Sequence, residues 1–519
     1  MPHPQPLGVP MTRKLSRYVL AVASVLSLTT ETLAETNEKD CAPKPWADLS
    51  APSAKPTGSG FTPHVLLQAR VEDSSPFTLD KFGTAYAHAP ALNSRMHVGL
   101  TYQSGLALQP LFLKLEYGHD LVQGVVVGGA RNEGLTYGPN ADSALEHQLR
   151  KAFATVALKR HLVLGAGVTT SDWGMGLLAN SGDRQPAAGS AAFADPRGGD
   201  IVARVLLAGG FGSTQLFVAA DQVLSDDVLL EGDEATQLVA GAKYKDGESL
   251  ELGIYGVHRQ QKSNDAKATT VNVIDAYAKS VFEMNDYLKL IVEGEFAAIF
   301  GTTELGPSPD FPTHDVLQLG GALRLTLDAN YFGGVLDVLY ASGDRDFEDG
   351  QQNAFKADFN YEMGLLLFRH VMAAQSARFP ETASDPDLSG YPNEDLDRLP
   401  TRGAVTNTLA FFPRAWWRPV DGLEVYGGPL IALAAVDYSD PLNTKLNGGD
   451  NHSPLNAPSA GYLGTEIDLG IRYRTTIAKT HLTLGLEGAL FFPGAAFDDA
   501  AGTTLDLIYG GRGLVSYAF

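Results

Sequence analysis

The feature that most constrains the fold is a two-residue alternation of apolar and charged side chains. In residues 463–475, apolar residues occupy one parity, and glycine or charged residues mostly occupy the other. Successive side chains of a β-strand point to opposite faces, so such a segment has one apolar and one charged face. The pattern recurs at 250–254, 286–300, 317–327 and 481–492. It predicts a sheet of many strands, each about ten residues long.

The connections between these segments alternate in length. Short links lie at 209–212, 245–248, 285–286, 328–330, 421–422 and 478–479, and longer polar stretches lie at 170–199, 301–313, 342–356, 379–403, 438–460 and 492–503. A β-sandwich also alternates, but short turns at one end and long loops at the other are typical of outer-membrane barrels. We predict an all-β, transmembrane, antiparallel up-and-down β-barrel with short periplasmic turns and long extracellular loops. We expect about 18 strands, and 16–20 stays open because 357–378 is ambiguous.

The N-terminus has the layout of a secretory signal peptide. A basic cluster at 13–17 precedes an apolar run at 18–28, and a small-residue cleavage pattern ends at Ala34. The apolar run is too short to span a bilayer, so we expect an exported chain whose leader is removed. The predicted divisions are a signal peptide at 1–34, an N-terminal periplasmic segment at 35–60 and an outer-membrane barrel at 61–519.

Charge and cysteine content exclude several classes of protein. The formal net charge of -21 argues against nucleic acid as a partner, because a phosphate backbone needs a basic surface. Cys41 is the single cysteine, so neither an intramolecular disulfide nor a cysteine-based zinc site is possible. After the signal peptide no 18 consecutive residues are apolar, so we predict no transmembrane helix.

The C-terminal strand carries a candidate assembly signal. Val515, Tyr517 and Phe519 share one face, and the last of them is the terminal residue. This arrangement resembles the insertion signal that the barrel assembly machinery reads. An exposed strand edge can pair through its backbone while alternate side chains give selectivity. We therefore expect that machinery to be a partner during insertion.

Several motifs point to a family. They lie at 172–183 (DWGMGLLANSGD), 193–208 (FADPRGGDIVARVLLA), 361–370, 401–419 and 469–494. They resemble a family of uncharacterised proteobacterial outer-membrane proteins that are distantly similar to porins and to alginate-export channels. The resemblance implies an outer-membrane location and a barrel architecture. Because the family has no established substrate, the resemblance implies no catalytic or binding residues.

The charged strand faces are the candidate pore wall. An Arg or Lys facing lipid costs about 2–4 kcal/mol at the bilayer midplane, so these side chains should point inward, where rings of charge can select solutes. The predicted pore-lining residues are Lys289, Glu293, Glu295, Arg324, Asp337, Glu424, Glu466, Asp468, Arg472, Arg474, Glu487, Asp506 and Arg512. The alternative is that they pair with one another and plug the interior. Trp173, in the first motif, is a candidate for a loop folded into the pore.

The sequence offers little for metal or catalytic chemistry. Asp344, Asp346 and Glu348 are a weak calcium candidate, since their spacing departs from that of an EF-hand loop and a solvated acidic loop fits better. There is no G-x-S-x-G elbow, H-E-x-x-H motif or phosphate-binding loop. We therefore expect no cofactor, no metal and no enzyme activity.

Three hypotheses about function follow. The first is an outer-membrane porin-like channel that passes small polar solutes or ions, with the lipid bilayer and those solutes as partners. The second is a closed barrel that acts as a surface binding or adhesion protein through its long loops. The third is an outer-membrane barrel hydrolase, which needs Ser beside His on the outer surface. An open lumen favours the channel, whereas a lumen filled by 170–199 or 342–403 favours the second hypothesis.

Overall fold

The computed structural model describes residues 60–86, 91–104, 111–126, 146–158, 162–193, 198–306, 310–347, 349–377, 395, 398–477 and 480–519. Their fold is a closed 18-stranded antiparallel β-barrel, as the alternation predicts. The predicted signal peptide and nearly all of the predicted periplasmic segment lie outside the described residues.

The barrel strands follow one another in chain order around the wall. They are β1 (Gly60–Ser74), β2 (Ala91–Gln103), β3 (Leu111–Val126), β4 (Glu146–Leu158), β5 (Leu162–Thr170), β6 (Ile201–Phe211), β7 (Thr214–Ser225), β8 (Glu234–Asp246), β9 (Leu250–Lys262), β10 (Ala268–Asn285), β11 (Leu288–Thr303), β12 (His314–Asp328), β13 (Phe332–Ala341), β14 (Thr408–Val420), β15 (Leu423–Tyr438), β16 (Ala460–Ile477), β17 (Thr480–Pro493) and β18 (Ile508–Ala518). Two short pieces join them: Gln351–Gln352 pairs with β12, and Phe77–Thr78 pairs with Ala85–Tyr86.

The barrel closes between its first and last strands. β18 pairs antiparallel with β1, from Ala518 opposite Leu66 to Gly510 opposite Ser74. β1 also pairs with β2, so both of its edges are bonded. Closure satisfies the backbone groups that an open sheet edge would expose to lipid, where each unsatisfied group costs several kcal/mol.

The two ends of the barrel differ in the length of their connections. The turns at 212–213, 247–249, 286–287, 329–331 and 421–422 are two or three residues long. The connections at the other end are longer, and the longest joins β13 to β14 through residues 342–407. This asymmetry matches the predicted separation of short turns from long loops. We call the two ends the turn end and the loop end.

In the described ranges of the chain, the helices are short and lie in the loop-end connections. They comprise a π-helical turn at Leu367–Met372, α-helices at Ala373–Ala377 and Pro441–Leu446, and a 3-10 turn at Ala495–Phe497. Among the described residues, no helix has the length and apolar character needed to cross a membrane. The ambiguous stretch within 357–378 is therefore partly helical where the structure describes it, and the strand count is 18.

The two faces of the wall have opposite chemistry. Leu469 and Leu486 are outward-facing and about two-thirds exposed, whereas the inward-facing Glu466 and Glu487 are buried. Exposed aromatic residues follow the turn end, including Phe211, Tyr287, Phe332 and Trp417, and others lie nearer the loop end, including Tyr340, Phe411, Tyr462 and Phe492. An apolar band between two aromatic girdles is typical of a barrel in an outer membrane.

Candidate functional site

The predicted wall residues form the inner surface of the barrel, with one exception. Glu295, Asp337, Glu424, Glu466, Asp468, Arg472, Glu487 and Arg512 are buried on the inner face, and Glu293, Arg324 and Arg474 are partly buried there. Lys289 has the inner parity but lies near the turn end, exposed and 3.0 Å from Glu283. Asp506 departs from the prediction: it is exposed in the connection that precedes β18, because that strand begins only at Ile508.

One charge cluster on the inner wall surrounds Glu487. The Arg472 Nη2 donates to one carboxylate oxygen of Glu487 at 3.0 Å, and the Arg512 Nε donates to the other at 2.5 Å. The Tyr426 hydroxyl also donates to Glu487, and the Arg472 guanidinium lies 4.7 Å from the Tyr426 ring centroid. One buried carboxylate therefore pairs with two buried cations, of which Arg512 also pairs with Glu362 at 3.3 Å.

A second cluster is centred on Asp337 of β13. The Arg324 Nε and Nη2 donate to its two oxygens at 2.6 and 3.1 Å, and Arg414 of β14 donates from the other side. Arg414 also donates to the carbonyl oxygen of Ala191 at 2.7 Å. Wall arginines therefore bind both wall carboxylates and the backbone of a loop inside the barrel.

That loop, residues 171–193, is the first inserted segment. The Trp173 Nε1 donates to Asp275 at 2.9 Å, and the Lys243 ammonium lies 4.6 Å from the Trp173 ring centroid. A Cβ added at Gly253 would lie 2.8 Å from the same ring, so only glycine lets the indole lie against the wall. Glu295 accepts hydrogen bonds from the amides of Met175 and Leu177. The prediction that Trp173 belongs to a loop inside the barrel fits these contacts.

The second inserted segment is residues 355–377, from the connection between β13 and β14. Residues 361, 363–376 and Phe355 are buried. Glu466 of β16 accepts hydrogen bonds from the amides of three successive residues, Leu365, Leu366 and Leu367. Asp468, two residues along on the same face, is equally buried, but neither of its oxygens has a hydrogen-bond partner among the described residues.

The two inserted segments pack together inside the barrel. Leu177, Phe193, Leu366, Phe368 and Met372 belong to one buried apolar cluster that also includes wall residues. The Asp358 amide donates to the Leu177 carbonyl at 2.8 Å. The second hypothesis anticipated a lumen filled by 170–199 or 342–403, and residues 171–193 and 355–377 do enter it.

Two carboxyl groups lie near this junction, outside the strands. Asp200 immediately precedes β6, and Asp358 belongs to the second inserted segment; both are buried. Burial raises the pKa of Asp200 well above its usual value, and the negative charge of Asp358 adds to the shift. Burial, with the charge of Asp227, does the same to the pKa of Asp358. Burial at the junction therefore disfavours the charged form of both carboxyl groups.

The acidic loop predicted as a weak calcium candidate has local hydrogen bonds. Asp344 accepts from the amides of Asp346 and Asn353 at 3.2 and 3.1 Å, while Glu348 lies outside the described residues. Within the parts of the chain that the structure describes, no group of three or more His, Cys, Asp or Glu is placed to hold a metal ion. The Asp344 carboxylate therefore fits a loop-stabilising role.

The residues of the predicted assembly signal lie at the seam of the barrel. Val515 and Phe519 are exposed on the outer face, and Tyr517 is half-buried. Tyr517 is paired between Leu67 of β1 and Leu482 of β17. The Phe519 amide and carbonyl exchange hydrogen bonds with Val65 at 2.9 and 3.1 Å. These three residues thus belong to the strand that completes closure.

The architecture has counterparts among solved structures. OpdQ of Pseudomonas aeruginosa aligns with a TM-score of 0.50 at 12% identity, over 88% of this chain and 98% of that chain. OccAB1 of Acinetobacter baumannii aligns with a TM-score of 0.51 at 11% identity, over 88% and 96% of the two chains. Both are outer-membrane porins. The fold is the one these porins have. No protein-family model and no curated protein sequence matches the chain.

The sequence pattern identified the charged inner wall of the barrel. It did not identify the loop groups that the wall side chains bind. Three arginines that were not predicted as pore-lining residues donate to loop carbonyls inside the barrel: Arg95, Arg150 and Arg414. A usable signal was present for the second inserted segment: Leu365, Leu366, Leu367 and Phe368 are four successive large apolar residues within a long connection. An apolar run between membrane strands has to find a buried position, and the lumen is the nearest one.

Proposed function

We propose that the protein is an outer-membrane porin-like channel for small polar solutes or ions. The observation that carries the proposal is a closed barrel with an apolar outer band and a charged inner wall. The porin fold of OpdQ and OccAB1 supports it. The two inserted segments make the passage narrow, so the expected channel passes small hydrated solutes and rejects large ones.

The wall suggests how a solute would cross. Partly exposed charged groups remain on the inner face beside the buried clusters, among them Glu293, Arg324 and Arg474. Such groups can replace part of the hydration shell of a polar solute, which lowers the barrier to its passage, while an apolar solute gains nothing. The mixed signs of the charges give no reason to expect a strong preference for anions such as alginate.

Reconstitution tests the channel directly. We expect the refolded protein in planar lipid bilayers to produce discrete conductance steps, and proteoliposomes to swell in small neutral sugars more than in large ones. Heat-denatured protein is the control for contaminating porins. Folded, inserted protein that shows neither conductance above the lipid baseline nor swelling would contradict the channel proposal.

A closed barrel that binds partners through its loops is the second candidate function. The burial of residues 363–376 inside the barrel favours it, because this segment occupies space that a wide pore needs. The same bilayer recording separates the two functions, since a closed barrel shows no conductance steps.

The hydrolase hypothesis has less support, because it needs a serine beside a histidine on the outer surface. The outward-facing His119 contacts His147 at 3.4 Å, and the outward-facing His258 contacts Asn272 at 3.0 Å.

The termini complete the proposal about location. Residues 1–34 would direct export, and Val515, Tyr517 and Phe519 would guide insertion by the barrel assembly machinery. We expect Phe519→Ala to slow insertion into liposomes that contain this machinery by about tenfold, because an aromatic contact of the closing strand is lost. Folding is followed by the resistance of the folded barrel to unfolding in detergent gels.

The matched control for Phe519 is Tyr509→Ala. It removes another exposed aromatic side chain from the outer face of β18, far from the C-terminus. Equal slowing by both substitutions would assign the effect to general membrane anchoring rather than to an assembly signal.

A further inference from the structure

The second inserted segment is attached to the wall by an unusual contact. One oxygen of Glu466 accepts the amides of Leu365 and Leu366 at 2.5 and 2.8 Å, and the other accepts the amide of Leu367 at 2.8 Å. These amides precede or begin the helical turns of 367–377, where backbone donors have no partner within the helix. A buried carboxylate from a wall strand therefore satisfies them.

The approach of the chain to Glu466 is built into the local sequence. Gly364 has a φ of +75°, which side-chain-bearing residues rarely adopt. A Cβ at this position would lie 2.8 Å from Leu430 and 2.9 Å from the Glu466 carboxylate. The glycine thus permits both the turn and the close contact, and the three-amide contact depends on both.

The segment has several other attachments to the wall, and they are chemically different. Arg512 of β18 pairs with Glu362 at 3.3 Å, and the Tyr438 hydroxyl of β15 donates to Gln375 at 3.2 Å. Arg369 donates to Glu72 of β1 at 2.9 Å and also to Glu362 within the segment. Phe355 packs over Gly320 of β12, where an added Cβ would lie 2.3 Å from its ring. Of these wall contacts, the one to Glu466 holds the backbone itself, and it does so where the helical turns begin.

We propose that Glu466 sets the solute-size limit of the channel by holding the second inserted segment across the lumen. Glu466 is a positioning residue, since it acts through the segment and not by contact with the solute. The inference rests on the proposed channel function and adds the residue that controls its width. Loss of the carboxylate leaves three buried amides without an acceptor, which favours release of the segment.

The test compares Glu466→Ala and Glu466→Gln with the wild-type protein. We expect Glu466→Ala to raise single-channel conductance at least about twofold and to admit larger sugars in the swelling assay, because a wider lumen carries more ions. Glu466→Gln keeps one acceptor oxygen and should give a smaller rise. Resistance of the barrel to unfolding in detergent gels confirms that each variant is folded, which separates a wider pore from a damaged barrel.

Asp440→Asn is the matched control. Asp440 is also a buried carboxylate that accepts a backbone amide at a short helix, from Asn443 at 2.6 Å, but its helix lies in a different loop. Its conductance and size limit should equal those of the wild-type protein. An unchanged conductance and size limit in folded Glu466→Ala, or an equal rise in Asp440→Asn, would overturn the proposal.

A second readout does not depend on conduction. In a Cys41→Ser background, the buried Met372 is replaced by cysteine and labelled with a membrane-impermeant maleimide. Glu466→Ala should speed labelling by about tenfold, because the released segment exposes the thiol more often. If no protein conducts but labelling still accelerates, the channel proposal fails and the role of Glu466 in holding the segment stands. Unchanged labelling would reject that role.

Discussion

Replacement of Glu487 by alanine is expected to lower the free energy of unfolding by about 3–5 kcal/mol. The carboxylate lies between the buried guanidinium groups of Arg472 and Arg512 and also accepts the Tyr426 hydroxyl. Alanine removes the carboxylate that pairs with Arg472 and leaves Arg512 with Glu362 alone, at 3.3 Å. The two guanidinium groups would then have to recruit water or shift, and either change costs stability. Urea-induced unfolding in lipid vesicles, followed by tryptophan fluorescence, measures the loss.

Glu251→Ala is the control for Glu487. Glu251 forms a longer ion pair with Lys245, at 3.7 Å, and both side chains are partly exposed. Exposed pairs contribute at most about 1 kcal/mol, so this variant should be nearly as stable as the wild-type protein. Similar losses for the two variants would show that the buried position of Glu487 has no special importance.

Arginine on the lipid-facing surface is expected to have an effect of similar size. Leu469→Arg and Leu486→Arg place a guanidinium on the central outer face of β16 and β17, where both leucines are more than 60% exposed. Each substitution should cost about 2–4 kcal/mol, and the double variant should insert poorly into vesicles, because a cation at the bilayer midplane loses its hydration. Unfolding in vesicles and the yield of folded protein measure these effects.

Leu507→Arg provides the matched comparison. Leu507 is nearly half exposed but lies in the connection before β18 and not in a membrane strand. The same substitution should therefore change stability by less than about 0.5 kcal/mol. If Leu469→Arg were equally harmless, the outer face would not be embedded in lipid, and the membrane-barrel interpretation would be wrong.

The fold was accessible from the sequence because one local rule governs every strand. Leu469, Ile471 and Tyr473 face outward, and Asp468 and Arg472 face inward, as their positions in the alternation require. Each strand repeats this alternation of outward-facing and inward-facing residues, so a wrong assignment at one position does not change the predicted fold. The errors that did occur lie at strand ends: Asp506 follows the alternation but belongs to a connection. The local alternation of apolar and charged residues does not determine the residue at which pairing between strands ends.

The segments that fill the lumen could not be predicted from the sequence by the same local rule. The link from Glu466 to Leu365 spans 101 residues of sequence, and the link from Arg512 to Phe193 spans 319. No periodicity relates residues so far apart. Whether a wall charge faces water or binds a loop depends on which loop enters the barrel, and that choice is made by the shape of the closed wall and the apolar surface that the loop can bury.

The sequence by itself therefore determined the class of structure: a membrane barrel with two chemically distinct faces and two unlike ends. It did so because successive side chains of a β-strand point to opposite faces, so the position of a residue in the sequence determines the face on which its side chain lies. Only the tertiary structure decided how the charges pair and that residues 171–193 and 355–377 enter the barrel. These features depend on three-dimensional closure, which brings wall carboxylates to loop amides that the chain keeps far apart.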